Sequence, residues 1–149
     1  MERLKKLDRL VLAITSKLQF LPALLTRLSV GIVFVGSGWG KLHNIAKVTE
    51  FFAELGIPMP ELNARLVAGT EFVCGGLLVL GLATRFAAIP LMITMVVALL
   101  TAKSKDIGRL DDLFSIYEYL YILLLIWLAV FGAGGLSMDR LISKRRQAK

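Results

Sequence analysis

The chain has 149 residues, 56% of them hydrophobic and 19% charged, with a mean hydropathy of +0.71. That is too apolar for a soluble domain of this size, and the length argues for one domain. The formal net charge is +7, but the basic residues stand at the ends and between apolar runs, which excludes a nucleic-acid footprint, where they would gather on one folded face. One histidine and one cysteine exclude a histidine-rich metal site, an internal disulfide and a paired-cysteine redox motif.

Residues 1–19 place Leu4, Leu7, Val11, Ile14 and Leu18 at helical spacing, with Arg3, Lys5, Lys6 and Arg9 between them. The pattern predicts a basic amphipathic helix on the cytoplasmic membrane surface. A cleaved signal sequence fits less well, because the apolar stretch is short and no small-residue cleavage site follows.

Pro22 suits a first helical turn, where a missing N–H costs little. Residues 20–41 form one apolar run interrupted only by Arg27 and closed by Lys41, long enough to cross the hydrocarbon core. Near its end stands Gly36-Ser-Gly-Trp-Gly-Lys41. A phosphate-binding loop would need glycine where Val35 stands and Ser or Thr where Leu42 stands. A dinucleotide fingerprint beginning at Gly36 would need glycine at Lys41. With both patterns excluded, Gly36 and Gly40, four residues apart, read as a close-packing helix face, with Gly31 and Ser37 extending it and Gly75 and Gly76 as the partner surface.

The segment IAKVTEFFAELGIPMP, residues 45–60, sets Val48, Phe51, Phe52 and Leu55 on one face. This predicts a short amphipathic helix in the first outer loop, ended by Gly56, Pro58 and Pro60. A second span is expected near 63–83, with Glu71 its only charge. A third, near 86–102, is 17 uncharged residues between Arg85 and Lys103, both able to snorkel to the interfaces. A fourth, near 115–134, opens on Ser115-Ile-Tyr-Glu118, a capping-box pattern. A glycine-rich stop and a basic tail, 135–149, follow. Cys74 lies mid-span among apolar residues and reads as packing.

The fold class expected is therefore all-α: a transmembrane four-helix bundle with a basic amphipathic N-terminal helix and a short amphipathic helix in the first outer loop. Segment 1–19, Arg85 and the tail put 11 Lys and Arg on one side, against six on the other. Positive residues stay in the cytoplasm, so both termini are expected there, in a multi-pass protein of a bacterial inner membrane.

Charges inside spans are costly, about 2.5–3.5 kcal/mol on insertion scales, and mark candidate sites. Arg27 lies about 8 Å above the inner boundary and Glu71 about 12 Å below the outer one, at a 1.5 Å rise per residue. A direct or water-bridged Arg27–Glu71 pair is one reading; a structural ion pair, or a snorkelled arginine with a protonated glutamate, is another. Lys41, His43 and Glu118 fall at one outer level and can form a polar pocket mouth. The bland alternatives are a plain helix cap for Glu118 and an interfacial histidine. Tyr117, Tyr119, Tyr121 and Trp39 read as interfacial anchors, or as flanks of an aromatic ligand such as a quinone.

The ordered set of Arg27, GIVFVGSGWGKL, FFAELGIPMP, and Glu71 followed by GGLLVLGLATRFAA resembles the DoxX family of small bacterial membrane proteins over residues 27 to 102. The resemblance implies a four-helix inner-membrane protein with a respiratory or redox-stress association, with family polar positions falling on Arg27, Lys41 and Glu71. Relatives serve thiosulfate:quinone oxidoreduction or partner enzymes of thiol and superoxide defence. Without a cysteine pair this chain cannot carry a thiol–disulfide relay alone, so a redox role needs quinone or an enzyme partner. No cofactor besides quinone is indicated. A quinone- or lipid-binding component of a redox system ranks first; a small proton-coupled transporter, which could act as a homo-oligomer, and a purely structural subunit rank below it.

Overall fold

A computed structural model describes residues 20–104 and 107–147, together with residues 12, 15, 16 and 18. The surface helix expected over 1–19 lies outside the described residues except for those four, which are helical. Seven helices follow: α1, Phe20–His43; α2, Ile45–Glu54; α3, Pro60–Leu80; α4, Thr84–Thr101; α5, Leu110–Ser115; α6, Tyr117–Phe131; and α7, Met138–Gln147. Helices α1, α3 and α4 are long and apolar enough to cross a membrane, and α6 is a shorter apolar helix of the same kind.

Local chemistry sets the ends. Pro60 stands at the first turn of α3, so this helix begins before residue 63. Gly81, at φ +66°, closes it by turning its N–H back to the Leu77 and Leu78 carbonyls, before residue 83. The fourth apolar helix departs most from expectation. Ser115 ends α5, Ile116 is extended, and α6 starts without a side-chain cap. The Ser115–Glu118 capping box is therefore not formed. The Asp112 carboxylate instead accepts the Gly108 and Arg109 N–H groups at 3.0 and 2.8 Å, starting a separate helix one segment earlier. Gly132, at φ +77°, ends α6 at Phe131, short of residue 134.

The four apolar helices form a ring in which α1 packs on α3, α3 on α4, α4 on α6 and, most loosely, α6 on α1; α2 rests against α3. Consecutive helices of the ring run antiparallel. One end of the bundle therefore gathers Lys41, Thr101 and Tyr117, and the other Arg27, Gly81 and Phe131. The core cluster is Val30, Phe34, Leu78, Ala87, Ala88, Leu91, Leu125 and Leu128. Cys74 packs against it, as expected for a packing residue.

The α1–α3 seam is the tightest. Lipid is as apolar as a leucine side chain, so close approach of small residues must hold membrane helices together. The glycines that do this are Gly31, Gly38 and Gly75. A Cβ on Gly38 would stand 2.4 Å from the Phe72 nitrogen, and one on Gly75 2.8 Å from the Val35 nitrogen. At Gly36, Gly40 and Gly76 a Cβ would meet nothing within 4 Å. The packing role expected of these three is thus corrected, while that of Gly75 stands. Gly36 and Gly40 share a face, but it is the exposed one; the buried stripe of α1 runs Arg27, Gly31, Phe34, Gly38.

Candidate functional site

On α3 the buried positions are Ala64, Ala68, Glu71, Gly75 and Leu78. The spacing of three and four residues places Glu71 in the middle of the stripe that faces α1. Its side chain is 1% exposed. A carboxylate removed from water must be paired and hydrogen-bonded. Both oxygens are engaged: Lys41 Nζ donates to Oε1 in an ion pair, and Ser37 Oγ donates to Oε2 at 2.8 Å. Ser37 and Lys41 are four residues apart, so they stack on one face of α1. Gly38 makes the reach short by letting α1 lie against the Ala68 carbonyl and the Phe72 backbone.

This arrangement replaces the expected Arg27–Glu71 pair. Glu71 stands level with Ser37, ten residues along α1 from Arg27, a separation of about 15 Å at 1.5 Å per residue. Arg27, 5% exposed, is used at the opposite end. Its guanidinium donates to the Leu136 carbonyl. It occupies the space that the missing side chain of Gly81 leaves open, since a Cβ there would stand 1.4 Å from Arg27 Nη1. Arg27 Nε and Nη1 have no hydrogen-bond partner among the described residues. Beside it, the Asp139 carboxylate of α7 accepts the Ala83 and Thr84 N–H groups at 2.7 and 3.2 Å and so caps α4.

A cavity of about 830 Å³ opens at the Lys41 end, among α1, α2, α3, α4 and α6. Its lining is mostly apolar and includes Phe51 and Phe52 of α2 and the pair Phe34 and Tyr121, in edge contact at 5.6 Å, on the neighbouring helices α1 and α6. The polar groups lining it include Ser37 and Lys41 of α1, Glu71 of α3, Tyr117 and Glu118 of α6, and Lys47 and Lys103. A large apolar pocket with a few convergent polar groups is the usual form of a small-molecule site. Lys41 is 29% exposed. An ammonium has three donors, so one pairs with Glu71 and two remain for the cavity.

Of the expected site residues, the structure brings Lys41, Glu71 and Glu118 to one cavity. His43 is not among its lining: two residues beyond Lys41 is about 200° around a helix, and its Nδ1 lies 2.9 Å from the Trp39 carbonyl. The Trp39 ring is exposed and packs, tilted, against His43 with ring centres 4.2 Å apart. Tyr119 meets Phe114 at 5.4 Å, while Tyr117 and Tyr121 line the cavity. Sequence reasoning took Ser37 only as a small residue and overlooked Gly38; the i, i+4 spacing of Ser37 to Lys41 was the available signal. Asp139 gave no local signal, since its partners are 55 and 56 residues away.

The DoxX family model matches residues 23–104. The chain is 30% identical over 126 residues to a Bacillus subtilis (strain 168) protein named "Putative oxidoreductase CatD", covering 83% of this chain and 89% of that one. It is 37% identical over 133 residues to the Mycobacterium tuberculosis membrane protein Rv3486, covering 82% of each. It is 30% identical over 132 residues to the Escherichia coli (strain K12) inner membrane protein YqjF, covering 87% of this chain and 98% of that one. No solved structure matches.

Proposed function

Because the chain belongs to the DoxX family, we propose that it is a multi-pass inner-membrane protein whose cavity binds the head group of a quinone or lipid, as the membrane component of a redox system. In this reading α1, α3, α4 and α6 all span. Helix α6 has 15 residues, about 22 Å at 1.5 Å per residue, and is flanked at its two ends by α5 and residues 132–137. The excess of basic residues at the Arg27 end keeps both termini in the cytoplasm, and the cavity then opens toward the outer face. The name of the Bacillus relative and the inner-membrane description of the Escherichia relative agree with this assignment.

The observation that carries the proposal is the Ser37–Lys41–Glu71 group in the wall of a mostly apolar cavity. Lys41 offers donors to a carbonyl or ester oxygen, and Glu71 neutralises it, so a neutral acceptor binds without adding net charge to a low-dielectric site. The apolar lining takes the ring or chain. Oxidation or reduction itself would belong to an enzyme partner. The test is extraction of quinones and lipids from the purified protein, with quantification by mass spectrometry. The wild type retains one such species in near-stoichiometric amount, and Glu71→Gln and Lys41→Met retain much less. Equal retention by all three would reject the site.

A further inference from the structure

The two polar walls of the cavity differ in kind. On the α1–α3 side, the oxygens of Glu71 are already engaged by Ser37 and Lys41, and the side chain is 1% exposed. That wall therefore presents chiefly the spare N–H donors of Lys41. On the α6 side, Glu118 lines the same cavity and is half-buried. It forms no hydrogen bond or ion pair among the described residues, and no side chain caps α6 at this point. An ionised carboxylate only accepts. The cavity, which Lys47 and Lys103 also line, thus joins the donors of Lys41 to an acceptor, Glu118, that is hydrogen-bonded to no donor among the described residues.

Resting on the function proposed above, we infer that Glu118 makes the cavity selective for a hydroxyl-bearing aromatic head group, the reduced quinol rather than the oxidised quinone. A quinone carries only acceptors. One carbonyl suits Lys41, but the rest of the ring then offers Glu118 no hydrogen. A quinol carries hydroxyls that accept and donate. One oxygen accepts from Lys41, and the O–H across the ring donates to Glu118. Phe34 and Tyr121, in edge contact at 5.6 Å, supply aromatic surface to the same cavity. Hydrogen bonds to a charged partner are among the stronger ones, and a site built around a ligand hydroxyl discriminates sharply against the analogue that lacks it. Glu118 acts here as a specificity-determining residue; no electron transfer is assigned to it.

The experiment measures binding of decylubiquinone and of its anaerobically reduced quinol to the full chain in nanodiscs, by equilibrium dialysis, for wild type and Glu118→Gln. Wild type binds the quinol roughly tenfold or more tightly than the quinone, the ratio that one charge-assisted hydrogen bond provides. Glu118→Gln, which keeps the shape but presents an N–H₂ group, cuts the ratio to near one or inverts it by strengthening quinone binding. Equal affinity of the wild type for both forms, or an unchanged ratio in the variant, overturns the inference while leaving the proposed function standing. Failure of both forms to bind the wild type removes the inference together with the quinone arm of the proposed function, leaving only its lipid arm to the extraction experiment.

Discussion

Placing one methyl group at two neighbouring glycines separates the packing face of α1 from its exposed face. Replacing glycine by alanine inside a helix gains up to about 1 kcal/mol from propensity alone. At Gly36 nothing opposes this gain, because a Cβ there meets no atom within 4 Å. At Gly38 the same Cβ stands 2.4 Å from the Phe72 nitrogen, 2.8 Å from the Ala68 carbonyl oxygen and 2.9 Å from the Phe72 Cα, all backbone atoms that no rotamer change can move. Reaching ordinary contact requires α1 and α3 to separate by about 1 Å, and overpacking of this kind costs about 1–3 kcal/mol, occasionally more. The same displacement lengthens the 2.8 Å Ser37–Glu71 bond to about 3.8 Å, outside hydrogen-bonding range. Gly36→Ala is therefore neutral or stabilising. Gly38→Ala is destabilising on balance and also loosens the cavity wall. Thermal unfolding in one detergent, followed by size-exclusion chromatography, reads both. A Gly38→Ala protein that melts with the wild type, or a Gly36→Ala protein that melts well below it, would refute the reasoning.

The buried pair gives a second prediction. Lys41→Met leaves Glu71 buried without its ion partner and destabilises by about 3 kcal/mol or more, whereas joint Lys41→Met, Glu71→Gln substitution recovers much of that loss, because removing both charges also removes their desolvation cost; a double-mutant cycle in melting temperature measures the coupling. At the other end, Gly81→Ala places a methyl group on the Arg27 guanidinium at a residue with φ +66°, and so displaces Arg27 from the Leu136 carbonyl. Limited proteolysis within residues 132–140 should then be faster than in the wild type.

The spans were legible because charge is so costly in lipid: the uncharged stretches between Arg27 and Lys41 and between Arg85 and Lys103 mark two of them. The pairing of the buried charges was not. Depth along each helix was estimated from its own ends, but the partner of Glu71 depends on the stagger of α3 against α1, and Gly38 sets that stagger. Gly36 and Gly40 satisfy a small-residue pattern that says nothing about which face is turned inward. Reading the phase from Arg27, Phe34 and Ser37-Gly38, or from Ala64, Ala68, Glu71 and Gly75, would have pointed to the buried side. The start of α6 was misjudged because two capping patterns compete within eleven residues, and Asp112 takes the backbone groups first.

Helix α2 has no buried residue of its own, yet Val48, Phe51, Phe52 and Leu55 all border the cavity. The apolar side of this helix is therefore turned toward the cavity. On the function proposed above, its hold on the bundle would depend on occupancy: an apolar guest would supply contacts that the protein does not, and an empty chamber would leave α2 attached through its seam with α3 and the joints at Asn44 and Gly56. Segments with few buried contacts open at low free energy, and whatever binds the closed form adds its binding energy to that closure. Cover and contents would thus be thermodynamically linked, so that any change which loosens α2 would also weaken retention of the proposed guest, and the guest in turn would slow the opening through which it leaves.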